Sequence, residues 1–587
     1  MTGSATVPRR RRSTRARKAA PQPVSAGAGE RLWFLDPPFR TSLPGARFDR
    51  ARKAWVYVGA DLPDELAPFR SAPYSRQRWL EDESNDARGP GPSGVVPKTP
   101  RPIQTSGAAM IAAAAAGGWR QFLLCDDVGT GKTITLWLGA LAVARGVSRI
   151  LVLVDRPAAI TIPHWRNTIA AIGDGGHRVL ISSPDQLPKL LSRNGRPAVR
   201  WDIVIADECH LYRHTATRRT EVFRRVARFD DAHRGAPFVI AASATPAQHP
   251  AELTYLAPVI SQLRGETTAQ WSDFGGKLAD AGLPIVKGKY GTWVWSERAA
   301  ADPQLQQEST GEVRGWLAGN DPPLTAYRPA PWGAAPLDLM PVELDAAERA
   351  AYFTLWKQFR AAMMALSVET AVGAGRSQRS STIVREGRTA VLRFRQKASL
   401  LRVVPTVEWV LGQIDDGHQV AVSCEFLGAA AVPIATALEA KGVAVARIHG
   451  PGDGPVLDLE RERLRFQTGA APVVVFTPSR SLSLHAGEQL ADGAVASTAR
   501  RVGVMHNVRY SGLAGRQILG RTHRDHQVSP WWVSYAEGTV EETIAQTMIE
   551  RFKATSDTAG ADSDALIRVA ALLGVSWLPP DALDVAG

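Results

Sequence analysis

The feature that most limits the fold of this chain is a twice-repeated alternation of short apolar runs with helical patterns. The first series is Phe122–Cys125, Ile150–Val154, Val179–Ser182, Ile203–Ala206 and Phe238–Ala242. The second is Val420–Cys424, Val445–Ile448, Val473–Phe476, Val502–His506 and Trp532–Tyr535. Short continuous apolar runs, each separated from the next by room for a crossover helix, predict strands buried on both faces of a parallel sheet. Two α/β domains in tandem are the simplest reading, since 587 residues exceed what one core holds.

The rest of the chain divides around these two series. Residues 1–30 are predicted to be a disordered basic tail, with seven arginines and lysines before the first acid, Glu30. Residues 31–80 predict a small folded module, in which Arg47-Phe48-Asp49 and Lys53–Val58 form a turn leading into a strand. Residues 81–100, acidic and then rich in glycine and proline, are a linker. The first lobe is assigned to 101–260 and a helical insertion with the inter-lobe connection to 261–395. That connection contains a flexible-looking stretch, Ala371–Arg388. The second lobe is 396–555, and 556–587 are a C-terminal tail with one short helical pattern around Asp564–Leu573.

Composition excludes several classes. No run of eighteen apolar residues occurs, so no membrane span is expected. The basic start lacks the apolar core of a secretory signal. Cys125, Cys209 and Cys424 lie far apart without zinc-ligand spacing, which predicts buried thiols in a reducing compartment. The net charge of +13, about half of it in the tail, suits a polyanionic partner. The tail itself reads equally as a solubilising extension or a nucleic-acid arm. Abundant Ala, Arg, Gly and Pro point to a bacterial or phage source, and so to the cytoplasm of a bacterial or phage-infected cell, in association with the nucleoid.

Chemistry is concentrated at three strand ends. Phe122–Cys125 runs into Asp126-Asp127-Val128-Gly129-Thr130-Gly131-Lys132-Thr133 and then a helical pattern, Ile134–Ala144. Strand, glycine loop and helix form the context of a phosphate-binding loop. Gly129 and Gly131 let backbone N–H groups face a phosphate, and the helix start adds favourable dipole. Lys132 is placed to reach the β- and γ-phosphates and Thr133 to bind magnesium. The strict loop pattern has glycine where Asp126 stands, and an incidental glycine turn is the competing reading. Ile203–Ala206 delivers Asp207 and Glu208 at a strand end: one carboxylate for magnesium, Asp207, and one to polarise the attacking water, Glu208. Acids also end strands at a solvent boundary, but the upstream Lys-Thr loop favours a hydrolytic pair. Phe238–Ala242 ends in Ser243-Ala244-Thr245, either a helix cap or a coupling element.

In order and spacing these residues resemble a superfamily-two helicase, and most closely the Swi/Snf-type double-stranded DNA translocases. The resemblance covers about residues 97–555. It implies two RecA-like domains, ATP and magnesium as substrate and cofactor, and Asp127, Gly129, Thr130 and Gly131 beside Lys132 and Thr133 as the ATP-binding loop. Pro102-Ile103-Gln104 is similar to the family's adenine-contacting segment, so Gln104 is the implied base reader. Gln517–Gln527 (QILGRTHRDHQ) resembles its last motif, which implies that Gln517 contacts ATP and that Arg521 and Arg524 reach across the cleft to the γ-phosphate. An amphipathic helix with a basic face is the bland alternative. Ser243 and Thr245 take the coupling role. Leu151–Trp165 is similar to the strand-then-Trp segment that contacts the DNA backbone, which nominates Arg156 and Trp165.

Phe476–Gly487 departs from the family's glycine-rich loop ending in Leu-Asn. Ser481 there is a loosely comparable DNA contact, and His485 is read as a surface histidine rather than one. Ser42–Asp49 with Lys53-Ala54-Trp55 resembles a HARP-type module, found with annealing or fork-remodelling members, although an ordinary hairpin core also fits. The implied activity is ATP-driven translocation on, or remodelling and annealing of, duplex or forked DNA in repair or replication. A DExH-type RNA helicase and a nucleotide-bound DNA-binding scaffold with weak turnover are the alternatives.

Overall fold

Antiparallel pairing comes first along the chain. Strands β1 (Arg31–Leu35), β2 (Arg47–Asp49) and β3 (Ala54–Gly59) form a sheet of order β1-β3-β2. Leu35, Leu43 and Leu66 are its small core, and the Trp33 indole N–H donates to the Gly59 carbonyl at 3.1 Å. This unit lies within residues 1–82, and residues 83–587 form a second compact unit. The structure is a computed structural model. It describes residues 24, 30–35, 37, 43–49, 54–71 and 95–577, except 156–157, 185, 192–194, 215–216, 230–235, 245, 248, 289–292, 301, 373–376, 451–456, 478–481, 508–511 and 555–561. The predicted tail before residue 30 therefore lies almost wholly outside the described residues.

The second unit contains two six-stranded sheets, each entirely parallel. The first joins β4 (Gln121–Leu124), β5 (Arg149–Leu153), β6 (Arg178–Ser182), β7 (Ile203–Asp207) and β8 (Phe238–Ala242). Between this series and the next strand of the sheet lies a short hairpin of β9 (Ile285–Lys287) and β10 (Trp293–Trp295). The sixth strand, at one edge, is β11 (Thr325–Ala326), and the order is β11-β4-β8-β7-β5-β6. The second sheet comprises β12 (Leu337–Val342), β13 (Gln419–Ser423), β14 (Val445–Ile448), β15 (Val473–Phe476), β16 (Arg501–Met505) and β17 (Trp531–Ala536), in the order β12-β17-β16-β13-β15-β14. All ten apolar runs are strands, within a residue of the expected bounds. β4, β7, β8, β13, β15 and β16 are buried along their whole length, as strands covered on both faces must be.

One edge strand of each sheet, β11 in the first and β12 in the second, comes from the region expected to be insertion and connection. β11 has two residues and β12 carries Pro341, so neither presents a strand-like apolar run. The connection between lobes thus shrinks to residues 327–336, and the second sheet begins at 337 rather than 396. The stretch expected to be flexible, Ala371–Arg388, is helical wherever it is described: Ala346–Val372 and Ser377–Leu400 pack together as a pair of long helices. Phe359 and Phe394 stack across that pair with ring centroids 5.0 Å apart and join the second core. The expected C-terminal tail is also structural. Helix Asp562–Leu573 packs on Val540–Ala554 and buries Val569, Ala570 and Leu573 in the same core.

Three helices carry the first lobe's loop. Helix α1 (Pro102–Ala116) lies along α2 (Lys132–Val143), and α3 (Ala158–Ile172) follows β5. Contact between α1 and α2 needs Gly139, where an added Cβ would meet the Ile111 side chain at 2.6 Å. The end of the expected linker is pinned rather than loose. The Val96 N–H donates to the Ala491 carbonyl of the second lobe and the Lys98 N–H to the Ala171 carbonyl at the end of α3, both at 3.1 Å. No described helix is long and apolar enough to cross a membrane, and all three cysteines are buried.

Candidate active site

The loop 126–131 leaves β4 alongside the continuation of the edge strand. Cys125 and Asp127 donate their N–H groups to the Ala326 and Arg328 carbonyls at 2.7 and 3.0 Å. Gly129 and Gly131 have φ of 89° and 84°, values that glycine adopts without strain. Lys132 folds over the loop and donates to the Asp126 and Asp127 carbonyls at 2.9 and 3.1 Å. Asp127 braces the turn, its carboxylate accepting the Val128 N–H at 2.7 Å and its carbonyl the Thr130 hydroxyl at 2.9 Å. Thr133, one residue into α2, is half-buried.

Asp126, the position at which the loop departs from the strict pattern, is buried and pairs with Arg328 through both carboxylate oxygens. Arg328 also donates to the Ile103 carbonyl, so one guanidinium ties the loop to α1. Gly107 leaves the space: a Cβ there would fall 2.3 Å from that guanidinium. Arg328 lies 202 residues from its partner, and no local pattern announces it.

Gln104 is buried with its amide engaged at both ends. Its Oε1 accepts the Arg101 N–H at 2.8 Å, and its Nε2 donates to the Thr130 carbonyl at 3.2 Å. In this structure it fastens the loop to the start of α1.

Asp207 ends β7, and Glu208 follows with φ 56° and ψ 54°. That left-handed conformation costs a non-glycine residue about 1–2 kcal/mol, and here it turns the carboxylate toward Ser243. Ser243 donates to Glu208 Oε2 at 3.1 Å, and His210 Nδ1 lies 2.9 Å from the same hydroxyl and 3.2 Å from Glu208 Oε2. Burial first, and then the adjacent Glu208 charge, raise the Asp207 carboxyl above the usual carboxylate range, while the Trp165 hydrogen bond and the Lys132 charge oppose the rise. The hydroxyl and carboxylate oxygens of Thr133 and Asp207 suit magnesium, a hard cation that takes few protein ligands beside phosphate and water. Among the described residues no group of three His, Cys, Asp or Glu could hold a metal unaided.

Trp165 does not meet the role expected for it. It is 1% exposed within α3, and its indole N–H donates to Asp207 Oδ2 at 3.0 Å. Its large apolar ring is buried in the lobe, where it orients a carboxylate and is withheld from a DNA backbone. Arg156, Ser481 and Thr245 lie outside the described residues.

The second lobe meets the loop directly. Added Cβ atoms at Gly520 and Gly129 would fall 2.4 Å from the Val128 side chain and 3.0 Å from Arg524 Cβ. Arg524 donates to the Gly520 carbonyl at 2.9 and 2.7 Å and approaches the Ser483 hydroxyl at 3.4 Å. Arg521 turns the other way: it is buried in its own lobe, donating to the Leu482 carbonyl at 2.9 Å. The structure therefore brings Arg524, but not Arg521, to the loop. Gln517 is buried in helix Gly512–Leu519.

Asp525 joins the lobes through a bidentate pair with Arg101 at 2.6 and 3.3 Å. His485 is buried, not on the surface, with its Nε2 3.2 Å from Asp525 Oδ2. Burial alone would raise the Asp525 carboxyl, but His485 and Arg101 outweigh it and hold it at about 2. Beside these residues lies a cavity of about 490 Å³, reached from Thr130 and Trp332.

No family model matches the chain, and no curated protein is similar to it. Among solved structures, the Sulfolobus solfataricus SWI2/SNF2 ATPase core in complex with double-stranded DNA aligns over 81% of this chain and 97% of its own, at 13% identity and a TM-score of 0.31. The ATPase core domain from the same organism aligns over 81% and 95%, at 14% identity and a TM-score of 0.29. The Pyrococcus furiosus Hef helicase domain aligns over 76% and 98%, at 13% identity and a TM-score of 0.38. At such identities and scores the likeness carries nothing about chemistry. In its two parallel sheets and the order of its motifs, the chain resembles the Swi/Snf-type helicases of superfamily two.

Proposed function

We propose that this chain is a superfamily-two motor that hydrolyses ATP in the cleft between its lobes and translocates on, or remodels and anneals, duplex or forked DNA. The observation that carries the reading is convergence. Lys132 folds onto the loop carbonyls, its charge acts on Asp207 at the end of β7, and Arg524 of the second lobe stands against Gly129. In this reading the loop N–H groups and Lys132 hold the β- and γ-phosphates. Thr133 and Asp207 would hold magnesium, which when bound would neutralise charge at the phosphates. Glu208 orients and polarises the attacking water, and Ser243, bonded to Glu208, reports its state to the strand β8 end. Arg524 stabilises charge on the transferring phosphoryl group, and Arg521 joins it only after leaving the Leu482 carbonyl. Gln104 and Asp127 keep the loop in shape, and Gln517, buried in the helix before these arginines, is assigned to contact with ATP.

Lobe closure and reopening would advance nucleic acid held by phosphate contacts, Arg156 and Ser481 among them. The altered loop 476–487 and the module at 31–80 are where this chain would differ from its relatives in output. The test is ATPase activity with single-stranded, duplex and forked DNA and with RNA. Duplex or forked DNA should stimulate most, and Lys132→Ala or Glu208→Gln should abolish the stimulated rate. Unchanged turnover in either variant sinks the site, stimulation by RNA alone selects an RNA helicase, and binding without stimulation selects a scaffold.

A further inference from the structure

The cavity between the lobes is walled by Ile103, Thr130 and Trp332 on one side and by His485, Asp525 and His526 on the other. It begins at Thr130, between the two left-handed glycines of the phosphate loop. A ligand whose phosphates lie on that loop has its sugar and base beside this space. Trp332 is the wall nearest the loop: a Cβ on Gly129 would stand 2.8 Å from its ring. It is half-buried, and it meets His526 edge to face with centroids 6.0 Å apart at 78°. The rim holds a hydrogen-bonding set, the Asp525 carboxylate with Arg101 and His485 upon it. An aromatic wall with a few convergent polar groups is what a planar heterocycle requires. Gln104, the residue that the motif nominated to read the base, spends its amide on Thr130 and Arg101.

We propose that this cavity is the nucleobase site and that Trp332, carried on the inter-lobe connection, stacks on a purine whose exocyclic amine faces Asp525. The proposal rests on the ATP-hydrolase reading above and assigns its base-recognition residue. Because the cavity has walls from both lobes, a bound base would also hold the lobes together at this point. A purine is favoured over a pyrimidine because stacking grows with ring area.

The experiment is competition binding to the full chain with magnesium, using ATP, GTP, CTP and inorganic tripolyphosphate as probes. Trp332→Ala should weaken ATP roughly ten- to hundredfold, the usual range for losing one base–aromatic stack, and leave tripolyphosphate unchanged. Trp332→Phe should restore most of the loss. In turnover, Trp332→Ala should raise KM for ATP while kcat holds, and CTP should bind the wild type more weakly than either purine nucleotide. Equal weakening of ATP and tripolyphosphate, or of neither, overturns the base site while leaving the phosphate site standing. Failure of the wild type to bind tripolyphosphate or any nucleotide overturns the hydrolase reading and this proposal with it. His526→Ala, an exposed edge contact, gives a second variant should Trp332→Ala fail to fold; a severalfold loss confined to the nucleotides supports the site, and no loss overturns it.

Discussion

Replacing Trp165 by Phe tests how the hydrolytic pair is charged. The indole N–H reaches Asp207 Oδ2 at 3.0 Å inside the lobe, where no solvent can substitute for it. A hydrogen bond to a buried ionised group contributes about 1.5–3 kcal/mol. At about 1.4 kcal/mol per pKa unit, its loss should move the Asp207 carboxyl upward by about one to two units. The direction follows from which form is stabilised: the indole donates to the carboxylate, so removing it favours the protonated acid. Asp207 must be ionised to serve magnesium, so the acid limb of kcat/KM, which reports the free enzyme, should shift to higher pH by that amount. The assay is the stimulated ATPase followed across the acid limb, with thermal unfolding as a control for the smaller ring. An unmoved limb in a folded variant would refute the role of Trp165 in setting the charge of Asp207. A loss of DNA affinity with an unmoved limb would return Trp165 to the DNA-contact role that its position in the sequence suggested.

Other outcomes follow from the same geometry. Asp126→Gly, which restores the strict loop pattern, should destabilise the motor unit by about 3 kcal/mol in thermal unfolding, because it strands the Arg328 guanidinium; adding Arg328→Met should recover most of that. Glu208→Gly should abolish hydrolysis yet unfold at a higher temperature, since it relieves the left-handed strain of about 1–2 kcal/mol. The Asp525 carboxyl is held at about 2, below its unfolded value near 3.9, so its contribution to stability is present above about pH 4 and lost as pH falls toward 2. Asp525→Asn should therefore lower the unfolding temperature at pH 7 and lower it by clearly less at pH 2.5.

What the sequence made legible, and what it hid, divides by range. Ten strands were readable because a strand covered on both faces must be apolar throughout, a property each run displays alone. Two of the four edge strands, β11 and β12, escaped for the converse reason. β11 is two residues long, and β12 alternates and contains a proline, as a strand with a single neighbour can. The loop, the Asp207–Glu208 pair and Arg524 were readable as local motifs. Their supports were not: Arg328 and Trp332 lie on a connection with no motif of its own, and the arginines that pair with Asp126 and Asp525 lie 202 and 424 residues away. Trp165 and Arg521 show how spacing alone misleads. Trp165 sits on a helix whose inner face was invisible without the sheet beneath it. Arg521 and Arg524 are three residues apart, but the helix ends at Leu519, before both of them, and their guanidinium groups take different partners, the Leu482 and Gly520 carbonyls.

The passage from β11 to β12 sets a limit on how this molecule can move. Its two ends are woven into the edges of different sheets, and only the ten residues 327–336 lie between. Fully extended, ten residues span at most about 35 Å, so the two sheets are on a leash of that length. Trp332 rides near the middle of it and Arg328 near its start. Along that leash the contact of the indole with Gly129 lies nearer the second sheet, and the pair of Arg328 with Asp126 nearer the first.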